Sequence, residues 1–277
     1  MTGSNRWAMT AVIAVLCSAA GVSAQDGPQW QRRQGATQPR LTVFHSTHGI
    51  NLPTAETIGQ GELLFEISHR FVPPASAGSD ALWGFDGPVQ LRLGLAWAPS
   101  DNVMLRVIRS NLDDNLDVGF KARIAELGSS ILVGVNGGVA FNSDDAPATD
   151  TRQYHAALLI NAALGERFAV GLVPGLVSNP WIFSDTDGTS AVLGVNAQAW
   201  LSDRMSFIAE WVFSPEVGDL VHDTGAFGIE AETGGHFFKV IVSNSFRLNP
   251  AQVLAGSPES FDPDNWRFGF NITRVLR

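Results

Sequence analysis

Thirteen side chains able to carry charge fall on the polar rows of alternating segments: Glu62, Glu66, Arg70, Arg92, Asp117, Lys121, Arg123, His155, Glu210, Glu230, Glu232, Lys239 and Arg267. The amides Gln90, Asn136, Asn161, Asn196, Gln198 and Asn271 extend the same rows. On the inner face of a closed sheet, such a set would line a passage and act on solutes through charge. Alternatively the groups would pair across the interior and hold it shut, because unpaired charge away from water is costly. Bases come early in the chain (Arg70, Arg92, Lys121, Arg123) and acids late (Glu210, Glu230, Glu232), so closing the sheet would set a basic wall against an acidic one. The near balance of signs argues against strong ion selectivity.

Other chemistry is poorly supported. A serine hydrolase needs a nucleophile with an adjacent base. No G-x-S-x-G motif is present, and His155 has no serine beside it in sequence. No catalytic residue is therefore assigned, and the chain is expected not to be an enzyme. His45 and His48 lie three apart, which puts them on opposite faces of a strand and makes a poor metal pair. Asp185 to Gly188 lacks the spacing and closing Glu of a calcium loop. Cys17 is the only cysteine. No metal site and no cofactor site is expected.

The elements that would position these groups are strands. In Leu116 to Ile124 the residues Leu116, Val118, Phe120, Ala122 and Ile124 alternate with Asp117, Gly119, Lys121 and Arg123. Val89 to Trp97, Glu62 to Phe71 and Trp266 to Ile272 repeat the pattern. Successive strand side chains point to opposite faces, so each segment has one wholly apolar face. Apolar-out, polar-in strands around a closed sheet describe a transmembrane β-barrel. The fold class expected is all-β, an antiparallel up-and-down barrel of about twelve strands over residues 61–277. Short connections alternate with long ones at 72–88, 143–151, 179–188, 215–223 and 247–264, the long ones being external. With 28 glycines and 25 Trp plus Phe residues, the composition suits packed interiors and aromatic girdles.

Residues 1–24 read as a signal peptide, with Arg6 ahead of a short apolar core and Val22-Ser23-Ala24 at the cleavage site. Residues 25–60 form an N-terminal leader that is either a periplasmic tail or a plug inside the barrel. The net charge of −9 argues against nucleic acid as a partner. The expected location is the outer membrane of a Gram-negative-type bacterium.

Two stretches carry a family resemblance. One is Glu232-Thr233-Gly234-Gly235-His236-Phe237-Phe238 followed by Ser243-Asn244-Ser245. The other runs from Glu56 through Gly59, Gly61, Glu62, Leu63 and Phe65 to Ile67-Ser68-His69-Arg70-Phe71. They resemble motifs of an uncharacterised bacterial outer-membrane β-barrel family, domain of unknown function 5777. The resemblance extends from about residue 41 to the chain end and implies the barrel and its location, with no activity. It also implies membrane lipid as surroundings and delivery by periplasmic chaperones and the barrel assembly machinery. The family's closing aromatic residue is replaced here by Val275-Leu276-Arg277. His69 and His236, near strand ends in these motifs, are expected to make hydrogen bonds at the rim. The functional expectation is a narrow passive channel for a small polar solute. A non-conducting structural or scaffold barrel is the alternative.

Overall fold

The computed structural model describes residues 41–142, 151–183 and 188–276. The signal peptide, residues 25–40, and the acids Asp144, Asp145, Asp185 and Asp187 lie outside the described residues. Twelve strands form a closed antiparallel barrel. They are β1 Leu63–Phe71, β2 Val89–Ser100, β3 Val103–Ser110, β4 Leu116–Leu127, β5 Ile131–Phe141 and β6 Arg152–Leu164. The second half is β7 Phe168–Ser178, β8 Thr189–Trp200, β9 Met205–Phe213, β10 Thr224–Glu232, β11 His236–Ser243 and β12 Arg267–Leu276. Each strand pairs with its sequence neighbours, and β12 closes on β1 from Leu63↔Leu276 to Arg70↔Gly269. Closure leaves no lipid-facing edge along this seam, which a bilayer requires because it cannot hydrogen-bond a free backbone.

The alternation sets the faces. On β2, Leu93, Leu95 and Trp97 are exposed outward while Arg92 is buried. On β4, Val118 and Phe120 are exposed while Asp117, Lys121 and Arg123 are buried. A bulge between Arg123 and Ala125 shifts the β4–β5 register after the last of these. His69 and His236 turn outward, contrary to the hydrogen bonds expected of them. His69 stacks on Phe270 at 4.8 Å and meets Phe71 edge-on, and His236 stacks on Phe238. Their odd or even positions put them on the lipid row, where an aromatic neighbour is available and water is not.

Replacing Leu93 by Arg puts a charge into the middle of the lipid-facing row. It is expected to cost about 2–4 kcal/mol in urea unfolding from bilayers. Unchanged stability would reverse the assignment of faces.

One loop departs from expectation. Strand β11 stops at Ser243, and the loop expected to be external at 247–264 turns inward over its first half. Asn244 causes the turn. Its side chain donates to the carbonyls of Asp223 (2.9 Å) and Glu259 (2.6 Å) and accepts from the Gly225 amide (2.9 Å).

Candidate functional site: a lumen filled from both ends

Residues 41–58 run inside the barrel as a hairpin entering from the end where β1 begins and β12 finishes. The turn is built from small and polar residues around Gly49 and Pro53. His48 bridges Pro53, the Gly49 amide donates to Leu52 O (2.9 Å), and the Thr54 amide donates to Thr47 O (3.1 Å). This leaves three successive amides, those of Ile50, Asn51 and Leu52, aimed the same way. All three donate to the Glu210 carboxylate at 2.8–3.0 Å, and Asn51 Nδ2 adds a fourth donor at 2.8 Å. Consecutive amides of this kind make an anion-binding concavity.

The turn's carbonyls take the bases. Lys121 Nζ donates to Thr47 O at 2.7 Å. Lys239 Nζ donates to His48 O at 2.7 Å and also to Gly49 O, while lying 3.0 Å from Glu230. Asn271 donates to Ile50 O and Arg70 to Asn51 Oδ1. The wall thus grips the hairpin through its main chain, acid to amide and base to carbonyl.

The hairpin's two arms are tied together by Glu56, whose carboxylate accepts from the amides of Val43 (2.6 Å) and Phe44 (3.2 Å). Burial pushes this carboxyl up from its ordinary range, and burial holds His48 well below its own. Arg123 donates to Leu41 O, Gln198 accepts from the His45 amide, and Asn161 accepts from the Ala55 amide. The opposite side of the hairpin is apolar. Val43, Phe44, Leu52 and Ala55 pack with Leu132, Leu159, Val173 and Val192, which stand on the inner rows of β5–β8. Gly194 makes room for the tip, since a Cβ there would lie 2.9 Å from Leu52.

A second insert descends from the loop end. Residues 244–256 carry a short helix, α1 Pro250–Leu254, started by an Asn249–Gln252 capping box. Arg92 Nη1 donates to Leu248 O at 2.6 Å, and its Nη2 is ion-paired with Glu66. Asn249 donates to Asn115, and Gln252 to Leu112 O. The short 111–115 connection, out of step with its long neighbours, is therefore a ledge for this insert. Arg247, its pKa lowered to about 10 by burial, donates to Gln252 O. Ala251, Val253 and Leu254 join the apolar cluster from above. Between the two inserts remains a void of about 10 Å³, bounded by Leu52 and Pro53 below and Val253 and Leu254 above. That is room for about one water molecule.

Of the thirteen polar-row residues, eleven are buried inside: Glu66, Arg70, Arg92, Asp117, Lys121, Arg123, His155, Glu210, Glu230, Lys239 and Arg267. Glu62 and Glu232 are half-buried at the mouth where β1 begins and accept from the Gly59 and Gly235 amides. The expectation that the inner set lines an open passage is corrected for this conformation. Buried charge must be paired, and here much of the pairing is with the inserts. Opposing basic and acidic walls are also only part of the arrangement, because Glu66 stands beside Arg92 and Lys239 beside Glu230. Asp117 is bonded to Arg106 (3.3 Å) and His155 (2.8 Å). Arg267 caps the loop end on Val72 O. Alternation alone does not single out Arg106, because Arg109 on the other row is also basic. Glu56 and Asn51 precede the first strand, where no period places them. His45 and His48 go to separate partners, Glu230 and Glu66.

A profile described as "Membrane bound beta barrel domain (DUF5777)" matches residues 44–276. Among solved structures, a NanC porin is similar at 10% identity, covering 77% of this chain and 98% of that one, with a TM-score of 0.50. An outer membrane channel from Pseudomonas putida F1 is 14% identical over 80% of this chain and 98% of its own, with a TM-score of 0.47. A KdgM porin is 10% identical over 78% and 99%, at 0.47. No curated protein matches the chain.

Proposed function

The chain belongs to the membrane-bound β-barrel domain family DUF5777, and from that premise we propose that it is a passive outer-membrane channel for small polar solutes that rests closed. The observation that carries this reading is the bonding of Glu210. Among the described residues, every hydrogen bond it accepts comes from the hairpin. Lys121 likewise donates to the hairpin main chain. These wall charges are completed by the insert rather than by each other. When the hairpin withdraws they face water, and the part of the lumen formed by β1–β4 and β9–β12 becomes a polar passage.

A second reading, a non-conducting structural barrel, is favoured by the side of the lumen formed by β5–β8. There Phe44 and Leu52 pack into an apolar core with Leu132, Leu159 and Val173. We read the chain as a conduit rather than a catalyst under either view. Its interior rings face acids: His155 faces Asp117, His45 faces Glu230 and His48 faces Glu66. No described serine hydroxyl is hydrogen-bonded to any of these rings. Periplasmic chaperones and the barrel assembly machinery would deliver it.

Single-channel recording in planar bilayers is the test. Wild type is expected to be silent for long intervals with brief small openings. Permanent silence, also in variants that release both inserts, would favour the structural barrel.

A further inference from the structure

The barrel wall has a gap at its loop end. The β8–β9 ladder stops at the pair Leu193↔Phe213, although β8 continues outward to Thr189. Beyond Phe213 the chain leaves β8. The Ser214 amide donates to Asp223 Oδ1 at 3.1 Å, and Pro215 has no N–H to offer. A shallow, open cleft of about 400 Å³ results. Ala191, Leu193, Phe213 and Pro215 give it apolar walls, and Leu193 and Phe213 are exposed on the lipid side.

Its inner wall is Val192, which is also part of the apolar lumen cluster with Val173, Val212 and Leu254. The cleft therefore joins the outer surface to the apolar side of the interior. Its floor is closed by the upper insert, where Gly256 lies against Ser214. The polar groups in it are few. Asp223 is satisfied on both oxygens, by the Ser214 amide and by Trp211 Nε1 at 3.0 Å. Ser214 Oγ is buried without a hydrogen-bond partner. Among the described residues this outer end of β8 has no strand partner on the β9 side, and it lies at the level of the aromatic rim.

We propose that this cleft binds a single-chain amphiphile with an uncharged hydroxyl head, taken sideways from the outer leaflet. The alkyl chain lies between Ala191 and Phe213. Ser214 Oγ, which lies unpartnered against Gly256, turns toward the cleft to pair with the hydroxyl. A carboxylate head is disfavoured by the Asp223 charge beside it. This site is separate from the polar passage of the channel reading and stands without it.

The test uses the full chain in phosphatidylcholine vesicles, photolabelled with a diazirine-bearing hexadecanol. Label is expected on the peptides holding residues 189–193 and 213–215. Hexadecanol in large excess should lower it about ten-fold, and the same excess of palmitate much less. Ala191→Trp fills the cleft and should abolish the competed label, whereas Leu105→Trp on β3 should leave it unchanged. Label spread evenly over the outward rows, or unmoved by hexadecanol, overturns the proposal. Equal competition by palmitate overturns it as well. If Ala191→Trp does not fold, the competition in wild type decides alone.

Discussion

Replacing Glu210 with alanine is expected to release the 41–58 hairpin while the sheet stays intact. The carboxylate accepts from three main-chain amides and one side-chain amide. Removing it strands those donors in a site without ready access to water. Losing one partner of a buried charged interaction costs about 3–5 kcal/mol, which moves the docking equilibrium by about 10²- to 10⁴-fold. Hydrogen exchange at Ile50, Asn51 and Leu52 reads the change directly, and protease cutting within 41–58 reads it independently. Glu210→Gln keeps one acceptor oxygen and should fall between. Retained protection of those three amides in the alanine variant would show that the apolar side, Phe44 and Leu52 against Leu132 and Val173, holds the hairpin alone.

Arg92→Leu should act on the other insert and with similar size. It leaves the Glu66 carboxylate buried, with Ser68 Oγ at 2.9 Å as a remaining donor, and it strips the Leu248 carbonyl of its partner. The expected loss is about 3–5 kcal/mol in urea unfolding, because an uncompensated buried charge costs more than the pair was worth. Adding Glu66→Gln should recover a large part, and the double-mutant cycle measures the coupling. Because the inserts close the lumen in series, neither variant alone should conduct steadily. Glu210→Ala combined with Arg92→Leu should give sustained openings. A silent double variant, shown by hydrogen exchange to have lost both inserts, would sink the channel reading and leave the structural barrel.

The aromatic rim belongs to the same design. Trp211, Phe227, Phe261 and Trp266 meet edge-on or tilted at the loop end. Phe71, Phe85 and Phe268 form a second group there. Such residues sit at membrane interfaces, with the ring in apolar surroundings and the polar edge near water.

The strands, their faces and their number were legible in the residues themselves. Val118 and Phe120 outward with Asp117 and Lys121 inward is a local period of two. Lipid outside a closed sheet demands that period of every strand. The long and short connections followed for the same reason, except where Asn244 bends the last loop inward.

What fills the barrel was decided by the tertiary structure alone. Glu210 and Lys239 are bound by the amides of Ile50, Asn51 and Leu52 and by the carbonyls of His48 and Gly49, about 160 and 190 positions away in the chain. Main-chain donors and acceptors are present on nearly every residue, so no residue type announces them. The inward Leu132, Leu159 and Val173 likewise look ordinary in a strand until a hairpin stands against them. The alternation of side chains thus determined a barrel with charge inside it. Only the folded chain determined that this charge is spent on the protein's own backbone, because burial without a partner is what the interior cannot tolerate.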